Sequence, residues 1–370
     1  MTLLAGDLGG TKTLLALCAA DGEPLCTLQY DSRAHDSLED MVARFLAEPA
    51  VQSHPPPHAA GLGVAGPITE VARPDGTGLA QRATITNLGY QIDAERLRQR
   101  FGWQQVRLAN DFYTLSLYAA RVVQQIESQP GGGLRLTSAL AEQVALIGDP
   151  TRLQPDPLGN LCVLGAGTGM GQALVVRGRA LRPAGAEIGG APVIVATEGG
   201  HTDFAPRDEV ELELLRFLLS RHPEHVSVER VVCGGGLHTL YEFFAAREPQ
   251  LVSPPIAREI ELAGPSAPSV ISTHGLAGRD PLCQRALERF VMLYGAEAGN
   301  LALKSMATGG VVIGGGVARK ILPRLQDGLF REHFQRKGRF RGLCERMPIY
   351  VLLDPLAGLR GAAYLVCDVV

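Results

Sequence analysis

The chain has 370 residues, of which 46% are hydrophobic and 20% charged, and its formal net charge is -3. This length predicts about two domains. The composition excludes a collagen-like or disordered chain, and the scattered charges form no basic block for nucleic acid or an anionic membrane. We therefore expect a small-molecule partner, with no nucleic acid and no membrane.

The seven cysteines and the N-terminal residues bear on the cellular compartment. The cysteines are odd in number and widely spaced, without a C-x-x-C pair. This spacing favours reduced, mostly buried thiols over a disulfide framework or a zinc site. The first residues carry no charged, apolar leader, and no apolar run reaches the length of about 18 residues that a membrane span needs. We expect a cytoplasmic protein.

Glycine is in excess, since an average usage of about 7% would give roughly 26 residues and the chain has 44. Glycine-rich segments 6–12 and 165–171 each lie between two short apolar runs, which predicts two strand–turn–strand hairpins. No helix opens after either turn, which excludes a dinucleotide-binding or Walker loop. Two related α/β halves that present backbone N–H groups to one ligand explain the repetition; two unrelated turns are the alternative.

Asp7 lies in the first glycine segment. A carboxylate beside backbone N–H groups suits a magnesium-bound polyphosphate, with the acid reaching the metal through water. A turn cap is the alternative interpretation. Thr11 and Lys12 add a hydroxyl and an ammonium group for phosphate.

The segment 106–109 is predicted as a short strand, and the apolar spacing from 112 to 125 predicts a helix. Asp111 therefore lies where a strand leads into a helix, the usual place of ligand sites in open α/β sheets. A carboxylate there suits a general base, while an ordinary N-cap formed by Asn110 or Asp111 is the alternative.

A cluster of acids and a histidine follows in 197–204 and 227–236. Such side chains pair with neighbouring hydroxyl groups and suit a polyol such as a sugar. A satisfied loop histidine and a solvated glutamate are the alternatives for His201 and Glu229, and a metal site on His201 and Glu198 is disfavoured. The strand with glycines at both ends in 307–318 suits an adenine ring or, alternatively, a tight strand exit.

The later part of the chain is predicted to supply the core. Apolar residues recur at helical spacing from Val210 to Leu218 and from Leu287 to Leu301. Proline-rich stretches at His54–His58, Gln154–Asn160 and Ser253–Ser269 are interpreted as loops or linkers.

Taken together, these motifs resemble the bacterial glucokinase family of the sugar kinase, Hsp70 and actin superfamily. The matching stretches are GDLGGTKTLLAL (6–17), GVAGPI (63–68), TN (86–87), LANDF (108–112), GAGTGMG (165–171), EGGHTDFAP (198–206), HVSVERVVCGGGL (225–237) and GGVVIGGGVA (309–318). The resemblance implies an α/β, two-domain actin-like (ribonuclease H-like) ATPase fold with a ligand cleft between the domains. The small domain would comprise 1–120 and 354–370, and the large domain 121–353.

The resemblance also implies a reaction and its residues. The enzyme would transfer the γ-phosphoryl group of ATP to the 6-hydroxyl of glucose with Mg²⁺, and Asp111 would be the catalytic base. The residues that would bind the sugar are Asn87, Asn110, Asp111, Glu198, His201 and Glu229. Those that would bind the nucleotide are Asp7, Gly9, Gly10, Thr11, Lys12, Gly167, Thr168, Gly169, Gly235 and Gly315, with Asp7 reaching Mg²⁺ through water. A homodimer is expected.

A second acidic glycine motif at 183–190 resembles a sugar-binding element of related kinases but lacks its histidine. Glu187 is therefore interpreted as a loop or supporting residue.

Two alternatives to a glucose kinase remain open. One is a kinase whose substrate is another hexose or an amino sugar. The other is a non-catalytic regulator that binds a sugar or a nucleotide, and the presence of Asp111 argues against it.

Overall fold

The structure is a computed structural model that describes residues 1–72, 78–85, 88–128, 133–178 and 192–367. The chain forms two compact units. The first unit comprises Met1–Val123, Ile194–Ala196 and Asp354–Val370, and the second comprises Gln124–Val193 and Thr197–Leu353. The first is therefore built from both terminal parts of the chain.

The first unit combines short strands with a few helices. Its elements are β1 (Thr2–Leu8), β2 (Lys12–Ala19), β3 (Pro24–Asp31), α1 (Leu38–Ala47), α2 (Pro49–Gln52), β4 (Pro57–Val64), β5 (Ile68–Ala72), β6 (Leu79–Thr84), β7 (Gln91–Asp93), α3 (Ala94–Phe101), β8 (Gln105–Asn110) and α4 (Asp111–Gln124), with α15 (Ala357–Ala363) added from the C-terminal part.

The main sheet of this unit has the strand order β3-β2-β1-β4-β8. Its central strands are apolar on both faces, which is typical of strands covered on both sides. Leu4 and Leu8 of β1 join a core with α1 and α3, whereas Leu3 and Ala5 pack with Leu359 of α15. The remaining strands form a small sheet ordered β5-β6-β7.

The second unit is richer in helix. Its elements are β9 (Glu127–Ser128), β10 (Leu134–Arg135), α5 (Ser138–Gln143), β11 (Val144–Leu146), β12 (Leu161–Ala166), β13 (Met170–Val176), α6 (Glu209–Leu219), α7 (Gly234–Arg247), α8 (Pro254–Ala263), α9 (Ala267–Leu276), α10 (Pro281–Ser305), β15 (Gly310–Gly314), α11 (Gly316–Lys320), α12 (Leu322–Gln326), α13 (Leu329–Gln335), α14 (Arg341–Arg346) and β16 (Ile349–Leu352). The strand β14 (Val193–Thr197) is divided, since its residues Ile194–Ala196 belong to the first unit.

Five strands of the second unit run in the order β11-β16-β15-β12-β13. The helix α10 is 25 residues long, and its buried side chains, among them Leu287, Phe290 and Tyr294, join the largest apolar core of the protein. The helices predicted from the spacing at 210–218 and 287–301 are therefore confirmed as α6 and α10.

Both predicted hairpins are confirmed, and each has the same neighbour. β1 pairs antiparallel with β2 and parallel with β4, while β12 pairs antiparallel with β13 and parallel with β15. The two units therefore repeat one arrangement of hairpin and parallel strand, as the sequence analysis expected for two related halves.

The interpretation of Ser253–Ser269 as a linker is wrong. The prolines of this stretch lie in the first turns of helices, at the start of α8, of a 3₁₀ helix at Gly264–Ser266 and of α9. Proline is well accepted there because the first N–H groups of a helix have no partner within the helix. His54–His58 is also only partly a loop, since β4 begins at Pro57.

All seven cysteines are free, and six are buried. This confirms the predicted reduced thiols. Among the described helices, none combines the length and the apolar character that a membrane span requires.

Candidate functional site

Three strands of the first unit end at the same edge of the sheet. The parallel register places Leu8 of β1 beside Val64 of β4, and Val64 beside Asn110 of β8. Adjacent strands lie about 4.8 Å apart, so Asp7 and Asp111 belong to neighbouring parts of one edge. Ligand sites of open α/β sheets form at such carboxyl ends.

Asp111 is the first residue of α4, directly after β8. The backbone N–H of Phe112 lies 2.9 Å from Asn110 Oδ1 and 2.8 Å from Asp111 Oδ1, so both side chains lie over the first turn of the helix. The predicted strand-to-helix position is confirmed. Free N–H groups at a helix start favour the ionised carboxylate.

Asp7 lies within β1, opposite Leu14 of β2, and not in the turn where the sequence analysis placed it. The glycine before it explains the difference, because a Cβ at Gly6 would lie 2.6 Å from Leu62 Cδ2. Gly6 therefore serves close packing within the sheet. On the other face, the Asp7 carboxylate lies over Gly358 of α15, where a Cβ would be 3.1 Å from Asp7 Oδ2.

The surroundings of Asp7 favour its protonated form. Burial, followed by the negative charge of Asp111, raises the pKa of Asp7 to about 6, although Lys12 opposes the shift. Desolvation and a like charge both disfavour the carboxylate. A divalent cation between the two carboxylates would reverse this effect.

This pKa predicts how stability changes with pH. Because the folded-state pKa lies above the ordinary value of 3.8, the folded protein holds the proton more tightly than the unfolded chain between pH 4 and 6. The free energy of unfolding should therefore fall as pH rises through this range, by up to about 3 kcal/mol from this group. Asp7→Asn should lack this contribution.

The measurement is urea denaturation of both proteins in metal-free buffer from pH 4 to 7. The stability of the wild type relative to Asp7→Asn should decline with rising pH. Asp111→Asn should show a smaller decline than the wild type, because one cause of the raised pKa of Asp7 is removed. Parallel pH curves for the wild type and Asp7→Asn would contradict the assignment.

The first hairpin turn comprises Gly9, Gly10 and Thr11. The N–H of Gly9 donates to the carbonyl of Lys12 at 3.0 Å. Ser32 supports the turn, since its Oγ donates to the Gly9 carbonyl at 2.8 Å and its N–H donates to the Thr11 carbonyl at 3.0 Å. Thr11 and Lys12 are exposed. Ser32 lies in no glycine motif, so no pattern in the sequence indicates its role.

At the corresponding turn in the second unit, the glycine clusters at 165–171, 234–236 and 314–316 lie together. The N–H of Gly167 donates to the Gly169 carbonyl, and the N–H of Gly234, at the start of α7, donates to the Gly167 carbonyl, both at 2.8 Å. Gly315 follows β15 and has a φ of +87°. It lies against the last residue of β12, since a Cβ at Gly315 would be 2.5 Å from the carbonyl oxygen of Ala166. Thr168 and Gly235 are exposed beside these contacts.

Glu229 lies beside the same turn, in a short 3₁₀ helix at Val228–Arg230. Its Oε2 accepts a hydrogen bond from the N–H of Met170 at 2.7 Å. A Cβ at Gly169 would lie 2.5 Å from this oxygen, so the glycine leaves room for the carboxylate.

Glu198 and His201 lie in the next segment, where a 3₁₀ helix spans Gly199–His201. Both side chains are exposed. The backbone of this segment is joined to that of Glu229: Val228 donates its N–H to the carbonyl of Thr202, and Phe204 donates to Val226, both at 2.9 Å. The two predicted sugar motifs of this unit therefore lie side by side.

Two residues of the sequence analysis, Asn87 and Glu187, lie outside the described residues. Within the described part of the chain, no three His, Cys, Asp or Glu residues form a metal-binding group.

Known proteins resemble this chain over nearly its whole length. The profile of the glucokinase family matches residues 4–368. The glucokinase of Nostoc punctiforme is 38% identical over 98% of this chain and 97% of its own length, and that of a Caulobacter species is 32% identical over 97% and 93%. The chain belongs to the glucokinase family.

Solved glucokinase structures support the same conclusion. A glucokinase from an Antarctic psychrotroph matches 99% of this chain and 98% of its own, with 27% identity and a TM-score of 0.74. A ROK family glucokinase from Streptomyces griseus, solved with glucose and AMPPNP, covers 99% of both chains with a TM-score of 0.58. At 19% identity it shows the fold alone. The predicted actin-like ATPase fold is confirmed.

Membership of the glucokinase family confirms the predicted activity as well. The protein is an ATP-dependent glucose phosphotransferase. Kinases of this family use ATP as the phosphoryl donor.

Proposed function

We propose that Asp111 takes the proton of the glucose 6-hydroxyl while that oxygen attacks the γ-phosphorus of ATP. The new O–P bond forms as the bond from the γ-phosphorus to the bridging oxygen breaks, and ADP leaves with that electron pair. The observation that carries the proposal is the place of Asp111 at the first turn of α4, beside the edge where β1, β4 and β8 end.

We further propose that Asp7 holds Mg²⁺ through a water molecule. A pair of interacting carboxylates, one with a raised pKa, fits a divalent cation. Mg²⁺ usually keeps several waters and binds one or two carboxylates together with substrate phosphates, so two acids suffice. When bound, the ion neutralises charge that develops on the transferring phosphoryl group.

The nucleotide contacts are assigned to the two hairpin turns. In the first unit these are Gly9, Gly10, Thr11 and Lys12, which offer amides, a hydroxyl and an ammonium group to phosphate. In the second unit they are Gly167, Thr168, Gly169, Gly235 and Gly315. The convergence of three glycine clusters on one turn supports this assignment, because bare backbone lets a phosphate or a flat ring approach closely.

The sugar contacts are assigned to Asn110 and Asp111 in the first unit and to Glu198, His201 and Glu229 in the second. We also assign one to Asn87. The side-by-side placement of the segments that carry Glu198, His201 and Glu229 supports a shared polyol ligand.

We propose three coarser properties alongside these assignments. The two domains are 1–120 with 354–370, and 121–353. The protein is a homodimer, on the strength of the family resemblance, and works in the cytoplasm, where its donor ATP is available.

The test is a coupled assay of ADP release over a panel of hexoses and amino sugars, with and without Mg²⁺. Glucose should give the highest kcat/KM, and omission of Mg²⁺ with EDTA should remove turnover. Release of ADP without dependence on any sugar would contradict the proposal. A higher kcat/KM for another hexose would reassign the substrate while retaining the reaction.

A further inference from the structure

We propose that Gln172, held by Glu297, is a positioning residue for the turn that carries Glu198 and His201. The inference rests on the proposed function, which assigns sugar contacts to this turn. Neither Gln172 nor Glu297 belongs to the sugar motifs identified from the sequence.

Gln172 and Glu297 form a buried polar pair. Gln172 in β13 is 3% exposed and Glu297 in α10 is 5% exposed. Gln172 Nε2 donates to Glu297 Oε1 at 2.9 Å, and Asn300 Nδ2 donates to Glu297 Oε2 at 3.0 Å. A buried carboxylate is costly unless its oxygens accept hydrogen bonds. The pair therefore fixes the orientation of the Gln172 amide.

The far end of this network is fixed as well. Lys337 Nζ donates to Asn300 Oδ1 at 2.5 Å and to the carbonyl of Ala296 at 2.9 Å. Asn300 thus lies between a cation and the carboxylate of Glu297, and its amide orientation satisfies both. Gln172 is the end of the network that faces the Glu198–His201 turn.

The turn lies directly on Gln172. Thr197 Oγ1 donates to the Gln172 carbonyl at 3.0 Å and accepts from the N–H of Gly199 at 3.2 Å. A Cβ at Gly199 would lie 2.2 Å from Gln172 Oε1 and 2.7 Å from its Cδ. The backbone between Glu198 and His201 therefore follows the surface of a side chain whose rotation Glu297 prevents.

Met170, two residues before Gln172 in β13, has a related role. A Cβ at Gly200 would lie 2.2 Å from the carbonyl of Met170, and the N–H of Met170 binds Glu229. Met170 and Gln172 thus support both sugar segments of this unit. Gln172 is the part of this support that depends on a side chain, and so it can be tested by substitution.

The first test is Gln172→Met, which keeps the length of the side chain and removes the amide. We expect KM for glucose to rise about tenfold, and KM for ATP to change by less than about twofold, because the glycine turn at 167–169 is bound through its backbone. Asn160→Ala is the matched control. Asn160 binds Ser305 and Arg177 at the other end of the same hairpin, so this change should lower Tm and leave KM for glucose unchanged.

The second test separates positioning from stability. Gln172→Met removes one hydrogen-bond donor from the buried carboxylate of Glu297, which should lower Tm. The double variant Gln172→Met/Glu297→Met removes that carboxylate and should recover Tm, yet KM for glucose should remain raised. Glu297→Met alone keeps Gln172 but frees its amide, so KM for glucose should rise there too.

Two results would overturn the inference. One is an unchanged KM for glucose in both Gln172→Met and Glu297→Met. The other is recovery of KM together with Tm in the double variant. Glu198→Gln, assayed in parallel, distinguishes failure of the inference from failure of the sugar assignment. An unchanged KM for glucose in Glu198→Gln would contradict the proposed sugar contact of Glu198 itself.

Discussion

Asp111→Asn is expected to lower kcat by about 10³-fold, the range of a lost general base, while glucose still binds. Asparagine keeps the shape of the side chain, and its Oδ1 can still accept from the N–H of Phe112. It cannot accept the proton of a sugar hydroxyl. The loss should therefore appear in kcat, measured by ADP release, with the Kd for glucose from calorimetry changed little.

The control is Asp93→Asn, the same change at another strand-to-helix junction. Asp93 is the last residue of β7 and caps α3 by accepting from the N–H groups of Glu95 and Arg96. This variant should lose some stability and keep kcat. If Asp111→Asn behaved like Asp93→Asn, Asp111 would be an ordinary helix cap, which the sequence analysis kept as its alternative.

Gly361→Ala is expected to destabilise the protein by about 3 kcal/mol, the upper range for overpacking. Gly361 lies in α15, and a Cβ there would be 1.8 Å from the carbonyl oxygen of Thr114 in α4. That atom belongs to the backbone, so a helix has to move to accept the methyl group. Because Thr114 lies in the first turn after Asp111, and its Oγ1 donates to the Asp111 carbonyl at 2.7 Å, kcat should fall as well.

Gly342→Ala is the matched control, since Gly342 is also helical but no atom lies within 4 Å of its added Cβ. Alanine favours a helix over glycine by about 1 kcal/mol, so this variant should keep or raise Tm. Thermal unfolding by circular dichroism compares the two. The single tryptophan, Trp103, is buried in the first unit and reports its unfolding separately. Equal Tm values for the two variants would contradict the packing argument.

The sequence predicted the elements that carry strong local patterns. Val106–Ala109 followed by helical spacing located Asp111 correctly, because a switch of hydrophobic period marks the end of a strand. The hairpin at 165–171 was predicted correctly because apolar runs flank it closely. The linker predicted at Ser253–Ser269 is wrong, because proline starts helices as readily as it breaks them.

Glycines show where sequence reasoning reaches its limit. The glycine segments 165–171 and 307–318 are interpreted as backbone that approaches a ligand, which remains a proposal for Gly167 and Gly315. In β1, however, Gly6 packs against the side chain of Leu62, and in β4 Gly61 packs against the carbonyl of Ala362. These contacts join residues far apart in the chain. A single sequence cannot tell a glycine that faces a ligand from one that faces another helix, because both require the same missing side chain.

The contribution of α15 to the first unit has a consequence for biosynthesis. Leu3, Ala5 and Ala59 pack against Leu359 and Ala362, which the ribosome adds only after the whole of the second unit. One face of the β1–β4 sheet therefore stays uncovered during most of translation, while the second unit has nearly all of its chain in one stretch. Asp111, the proposed catalytic base, is made early, but α15, which packs against the helix that Asp111 begins, is made only after the second unit.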